Sequence, residues 1–244
     1  MAAMGGPDVT VVVPVLHDSP ALARLLDEPC TYDHGARWIV VNGGARDEVL
    51  NVLRAARPDV LWLDSPPGRG VQIGAAVPHA VGTWLLVLHA DTQLPDRWRD
   101  ELAAAAAAGR RWGCFRLRLG TAAWQARLIE RAVRVRVRLL RLPYGDQAMF
   151  FDRQMLVAGG GVPPVPLMED VLLARRFARA GPPYRSAQAA VTSARRWERD
   201  GWWRRTARNW WTSARFLWGV SPDRLAAAYV SEGGAARRAG TGMR

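Results

Sequence analysis

Leu85-Leu86-Val87-Leu88-His89-Ala90-Asp91-Thr92-Gln93-Leu94-Pro95 is the stretch of this 244-residue chain whose reading decides the fold. With Trp84 it opens as an apolar run, which suits a strand buried on both faces of a sheet. The run stops at His89-Ala90-Asp91, and the chain must turn before Pro95. A carboxylate at the carboxyl end of such a strand is a common way to build a site in an open α/β sheet. Asp91 has two readings: it meets a divalent metal and a diphosphate, or it caps the turn or the next helix.

Upstream, the same grammar repeats. Thr10–Val15 is β-branched and apolar apart from Pro14, and reads as a first, central strand. Ser19-Pro20 reads as the cap and first turn of a helix over Ala21–Leu26. Trp38–Val41 is a second strand ending in Asn42-Gly43-Gly44, and Glu48–Ala56 has helical spacing. Val60–Leu63 is a third strand running into Asp64-Ser65-Pro66-Pro67-Gly68-Arg69-Gly70, followed by a helix over Val71–Ala80 that Pro78 disturbs. Strands and helices alternating at this spacing predict a parallel sheet with helices on both faces. Three strands then end in polar or glycine-rich turns, at Asn42, Arg69 and Asp91, on one edge of that sheet. The turn after the first strand, Val15–Asp18, holds no glycine. That excludes a G-x-G-x-x-G dinucleotide fingerprint and a P-loop.

Composition narrows the classes further. Apolar residues make up 49% of the chain, enough for a sizeable core. The 34 basic residues outnumber the 22 acidic ones, a net charge of +12 that favours an anionic partner. Cys30 and Cys114 have no paired spacing and suggest neither a metal cage nor a disulfide framework. Met1–Asp8 shows no basic patch followed by an apolar stretch, so no signal peptide is expected. No stretch approaches the roughly 18 uninterrupted apolar residues of a spanning helix. The expected setting is cytoplasmic, with the protein soluble or peripheral on the inner face of the membrane.

In the second half, Asp100–Ala108 is an alanine-rich helix. Gly113–Leu119 alternates, with Phe115, Leu117 and Leu119 on one face, and predicts a half-buried strand. Trp124–Leu142 is a basic helix with Arg127, Arg131, Arg134, Arg138 and Arg141 on one face, and Leu128, Val135, Leu139 and Leu142 beside them. It is either a solvated face or a surface for lipid head groups or an anionic substrate. Tyr144–Asp152 turns into a strand with Asp146 and Gln147 at its mouth. The loop from Gly159 to Pro166 delivers Leu167-Met168-Glu169-Asp170 to the start of a helix over Glu169–Ala180. Two carboxylates there suit the positive helix end; alternatively, one is a general base. Arg195–Trp218 interleaves six tryptophans with arginines. Packing with partial lipid contact ranks first for this segment, and stacking on nucleic acid last. Residues 231–244 are expected to be disordered.

Taken in order, Leu-His-Ala-Asp-Thr (88–92), Gly-Asp-Gln-Ala (145–148), Pro-Leu-Met-Glu-Asp (166–170) and Ser-Ala-Arg-Arg-Trp-Glu-Arg (193–199) resemble the family 2 glycosyltransferases. The likeness runs from Val9 to about Tyr229. It is strongest to the small bacterial branch of rSAM/selenodomain-associated, arsenosugar-biosynthesis-type enzymes. It implies one GT-A type Rossmann-like domain over residues 8–230: a nucleotide-binding half (8–95), an acceptor half (96–194) and a helical Trp/Arg-rich extension (195–230).

The resemblance also implies an activity: inverting transfer of a sugar from a nucleoside diphosphate sugar to a hydroxyl acceptor. Asp91 would hold Mg²⁺ or Mn²⁺, with His89 in the leading place of the Asp-x-Asp pattern. Asp170, paired with Glu169, would be the general base. Pro14 and Val15 would line the nucleoside pocket, with Asn42 near the base and Arg69 near base or phosphate. Ala90, Asp146, Gln147, Arg196 and Trp197 would complete the substrate contacts. The chain departs from the family at Leu16-His17-Asp18, where an acid usually follows Pro-Val-Leu-Asn; at Asn42, where aspartate is usual; and at Val162, where an aromatic is common. A sugar-phosphate nucleotidyltransferase would need a glycine- and arginine-bearing loop after the first strand, which Val15–Asp18 does not supply. A non-enzymatic basic protein binding membrane surfaces or nucleic acid would leave Asp91 and Asp170 idle.

Overall fold

A computed structural model describes residues 9–228; the segment 231–244, expected to be disordered, lies outside the described residues. The first half comprises β1 (Val9–Val15), α1 (Ser19–Asp27), β2 (Arg37–Asn42), α2 (Glu48–Ala56), β3 (Leu61–Asp64), α3 (Arg69–Ala76), β4 (Trp84–Val87) and β5 (Thr92–Gln93). The chain continues with α4 (Trp98–Ala107), β6 (Trp112–Leu119), α5 (Trp124–Leu140), β7 (Phe150–Asp152) and α6 (Arg153–Ala158). It then forms α7 (Glu169–Ala178), β8 (Tyr184–Thr192), α8 (Arg195–Asp200) and α9 (Trp202–Leu217).

The eight strands of the described residues join one sheet in the order β3-β2-β1-β4-β7-β6-β8-β5. The four alternating strand–helix units run parallel as β3-β2-β1-β4. Beyond them β7 is antiparallel to both β4 and β6, β8 is parallel to β6, and β5 closes the edge antiparallel to β8. The predicted α/β fold with a mostly parallel sheet and helices on both faces is the one observed. Alternate residues of each central strand feed two cores. Val11, Val13, Val40 and Leu86 pack with α1 and α4, whereas Val12, Ile39, Val41 and Leu85 pack with α3, α5 and α7. Both faces are covered, so these strands are continuous apolar runs.

Several local expectations are corrected. Ser19 is the first residue of α1 rather than its cap, and its hydroxyl is drawn to the carboxylate of Asp47. The Asp47 carboxylate in turn caps α2 by accepting from Leu50 N at 2.8 Å. α3 begins two residues earlier than predicted and stops at Ala76, where Pro78 diverts the chain into a short 3₁₀ turn. In β6 the register shifts between Cys114 and Arg116. That irregularity sends Phe115 to one core and Leu117 and Leu119, with Cys114, to the other, where strict alternation had kept the three together. The core stripe of α5 is Ala126, Ile129, Val133 and Val137, and Leu128, Val135 and Leu139, beside the arginines, are exposed. The Trp/Arg segment is two helices broken at Gly201, where φ is +86°. Asp200 pins the corner by accepting from Arg199, Arg205 and Arg208 at 2.7, 3.1 and 3.0 Å.

Candidate active site

β4 ends inside the sheet and releases His89 and Asp91 at its carboxyl edge. Ser193 N donates to Asp91 O at 3.0 Å, which ties the end of β8 to this strand end. The Thr92 and Thr192 hydroxyls meet at 2.9 Å, and Thr192 Oγ1 also donates to Asp146 O at 3.0 Å. The 3₁₀ turn Gly145–Gln147 is thereby held against the same edge. Gly145 N donates to Asp170 Oδ2 at 2.8 Å, which joins the turn to the first residues of α7. Four segments remote in sequence thus meet around one cleft of about 130 Å³.

Asp91, Asp146, Asp170, Arg69, Arg196 and Trp197 all line this cleft, as does His89. Asp91 and Asp170, the two acids on which the reading depends, face the same space. Asp170 is 7% exposed, and each of its carboxylate oxygens accepts one backbone N–H, from Gly145 and Val171, both at 2.8 Å. Each oxygen keeps acceptor capacity for a substrate hydroxyl. Arg69, from the start of α3, lies 2.9 Å from Glu169 Oε1 and 3.9 Å from Asp170 Oδ2. Asp91 Oδ2 lies 3.4 Å from Arg195 and 3.9 Å from Arg196, and Arg195 also pairs with Asp18 beyond β1.

Burial sets the protonation states here. Glu169, 2% exposed, is lifted to about 7 by burial, with the charge of Asp170 adding and Arg69 offsetting only part. His89 is lowered to about 3 by burial and by the charges of Arg69 and Arg196, so its imidazole is neutral at physiological pH. Asp146 is raised, chiefly by burial, with Asp170 and Asp91 adding to the effect and Arg136 opposing it. His89 Nε2, Asp146 Oδ1 and Glu169 Oε2 are buried without a hydrogen-bond partner. Such atoms are costly to leave unpaired.

The remaining predicted residues fall elsewhere. Glu169 sits behind the cleft against Arg69. Ala90 is buried between two lining residues. Gln147 is turned away from the cleft, donating to Phe115 O at 3.2 Å and accepting from Arg136 at 3.1 Å. Pro14, Val15 and Asn42 lie at the β1–β2 end and are outside the cleft lining. Asn42 is engaged locally: its Nδ2 donates to Gly44 O at 2.7 Å and to Asp64 at 3.2 Å, while Gly44 N donates to its Oδ1. Sequence reasoning missed Tyr144 as a wall residue, and Thr192, Arg205, Asn209, Thr212 and Ser213, which reach the cleft from β8 and α9. No local motif marks Arg205, Asn209, Thr212 and Ser213; the docking of α9 brings them in.

Among the described residues, no three His, Cys, Asp or Glu side chains gather as a metal cage. The donor set is one carboxylate, Asp91, beside the unpartnered Asp146 Oδ1 and His89 Nε2. It fits a cation that takes one or two protein ligands and fills its sphere with substrate phosphates and water.

A family model described as glycosyl transferase family 2 matches residues 10–154. A PGL/p-HBAD biosynthesis glycosyltransferase of Mycobacterium tuberculosis is 30% identical over 110 residues, which is 43% of this chain and 42% of that protein. The homologous protein of Mycobacterium bovis matches to the same extent. The match thus spans less than half the length of these curated relatives. Among solved structures, the mannosyltransferase PcManGT of Pyrobaculum calidifontis, in complex with GDP-Man and Mn²⁺, superposes with a TM-score of 0.57 at 22% identity. That superposition covers 77% of this chain and 57% of that one. Residues 1–349 of S. aureus TarS, in complex with UDP-GlcNAc, give 0.54 at 14% identity over 75% and 55% of the two chains. These likenesses establish a GT-A type fold.

Proposed function

The chain belongs to glycosyl transferase family 2, and from that premise we propose that it transfers a sugar from a nucleoside diphosphate sugar to a hydroxyl acceptor with inversion. The observation that carries this reading is the convergence of Asp91 and Asp170 on one cleft with Arg69 and Arg196 between and beside them. Asp170 takes the proton from the acceptor hydroxyl. The acceptor oxygen attacks the anomeric carbon from the face opposite the diphosphate, and the glycosidic electron pair leaves on the diphosphate oxygen. Arg196 faces the leaving diphosphate, and Arg69 fixes the α7 start through Glu169. Mg²⁺ or Mn²⁺, held by Asp91 with His89 and Asp146 at hand, would neutralise charge on the diphosphate when bound. Neutral His89 adds a hydrogen-bonding nitrogen at the cleft without adding charge. The motif order supports placing the chain in the small branch of rSAM/selenodomain-associated, arsenosugar-type enzymes.

The protein also contacts anionic membrane peripherally in this reading. Trp124 of α5 and Trp203 of α9 pack at 6.1 Å between ring centroids. Leu139 of α5 and Trp210, Trp211 and Trp218 along and just beyond α9 are exposed as well. No helix among the described residues is long and apolar enough to cross a membrane.

The test is Asp170→Asn, with turnover and nucleoside diphosphate binding measured side by side. Turnover falls by a factor of about 10² to 10⁴, the usual contribution of a general base, while calorimetric binding of the diphosphate with Mn²⁺ persists. Wild-type turnover in the variant removes Asp170 as base. Full activity in EDTA removes the cation.

A further inference from the structure

A second cavity, of about 340 Å³, opens between α5, β6 and β8, on the other side of the Gly145–Gln147 turn from the cleft. Its rim carries four arginines from three elements: Arg116 on β6, Arg134 and Arg138 one turn apart on α5, and Arg185 on β8. Val137 and Gln147 contribute to its lining. Two other arginines of the same helix, Arg127 and Arg136, are used internally. Arg127 is paired with Glu130 at 2.7 Å, and Arg136 lies 3.5 Å over the Tyr144 ring while donating to Leu142 O and Gln147. Arg116, Arg134, Arg138 and Arg185 are all exposed, and among the described residues none has a carboxylate partner.

Like charges gathered without a counter-charge repel one another, and an anion relieves that repulsion. Guanidinium forks match phosphate oxygens in geometry as well as charge. The cavity volume lies in the range of small-molecule sites, far more than a bare phosphate fills, and its lining includes the apolar Val137 and Ala187 beside the arginines. Cys114, at the same wall, is pushed up to about 12 by burial, so its thiol stays protonated and adds no competing negative charge.

We propose that this cavity is a second ligand site, distinct from the cleft of Asp91 and Asp170, for a phosphate-bearing organic molecule. The phosphate sits among the four guanidinium groups and the organic body rests on the apolar wall. Gln147 lines this cavity and Asp146, its neighbour, lines the cleft, so the two sites share the 3₁₀ turn.

Calorimetric titration of the full chain with glycerol 3-phosphate, and sedimentation with phosphatidylglycerol vesicles, test the proposal. The variants are Arg134→Gln/Arg138→Gln, Arg116→Gln/Arg185→Gln and, as a control in the cleft, Arg196→Gln. The first two pairs are expected to weaken binding at least tenfold with unchanged melting temperature, and Arg196→Gln is expected to leave it intact. Saturable glycerol 3-phosphate binding identifies a soluble phosphoester. Vesicle binding alone, lost in the same two pairs, identifies a lipid head group. Unchanged affinity for both probes in both pairs, or loss only in Arg196→Gln, overturns the proposal. Nucleoside diphosphate binding, followed in parallel, reports on the cleft, so failure of one site is distinguishable from failure of the other.

Discussion

Gly70 and Gly74 lie one turn apart on α3, yet alanine at the two positions should have opposite effects. A Cβ on Gly70 would stand 2.2 Å from Pro163 O, 2.6 Å from Val165 O and 2.9 Å from Val165 N. A carbon–oxygen contact relaxes at about 3.3 Å, so the loop before α7 would have to retreat by roughly 1 Å. Its backbone is the obstacle, and no rotamer change can relieve the clash. Overpacking of this kind costs about 1–3 kcal/mol. Retreat also breaks the 3.1 Å hydrogen bond from Gly70 N to Val165 O, worth about 1 kcal/mol. The helical preference of alanine returns up to about 1 kcal/mol. The net loss is about 1–3 kcal/mol, or a fall in melting temperature of roughly 2–12 °C for a chain of this size. At Gly74 a Cβ meets only Val162 O at 3.7 Å, an ordinary contact. Gly74→Ala therefore keeps the propensity gain and raises the melting temperature by a few degrees, on the order of 2–4 °C. The same loop delivers Glu169 and Asp170, so Gly70→Ala also lowers turnover while Gly74→Ala does not. Calorimetric melting of both variants is the assay. A Gly70→Ala protein that melts at or above the wild type refutes the close approach of α3 to the loop.

Three further outcomes follow from the geometry. A Cβ at Gly145 would lie 2.7 Å from His89 Nε2, so Gly145→Ala costs about 1–3 kcal/mol, and most of that cost disappears in a His89→Ala background. Equal costs in the two backgrounds of this double-mutant cycle rule out the contact. Asp200 is held down to about 2 by Arg199 first and Arg205 with it, against an ordinary 3.8. Because its folded value is depressed, its stabilisation is full above the unfolded value and is lost as pH falls through about 4 toward 2. Asp200→Asn should cost about 2 kcal/mol at neutral pH and progressively less in denaturant titrations toward pH 2; a constant difference between pH 7 and pH 2 rejects the linkage. Trp210→Ser/Trp211→Ser should release the protein from anionic vesicles, and added salt should weaken wild-type binding. A wild-type protein that stays in the supernatant at low salt removes the membrane contact.

Much of the frame was legible because burial on both faces writes itself into composition. Val11–Val13, Ile39–Val41 and Leu85–Leu88 have no polar side to present, and each stands in the central sheet. Glu48–Ala56 was legible end to end from its helical spacing. β8, in contrast, reads Tyr-Arg-Ser-Ala-Gln-Ala-Ala-Val-Thr, small and polar, and carries no strand signal of its own. Its parallel pairing with β6 makes it a strand. Helix α5 carries two apolar stripes, and packing against the sheet chooses Ala126, Ile129, Val133 and Val137.

The sequence by itself determined the parallel half-sheet, the carboxylate at the end of β4 and the acid pair at the start of α7, since periodicity, turn residues and motif spacing are local properties. Only the tertiary structure decided that Asp91 and Asp170 share a cleft, that Arg69 pairs with Glu169, and that Gln147 turns toward a different cavity. It also decided which of two neighbouring carboxylates faces the cleft and which is buried behind it. Those outcomes depend on contacts between segments far apart along the chain and on how deeply each charge is removed from water, and neither quantity is encoded at any single position.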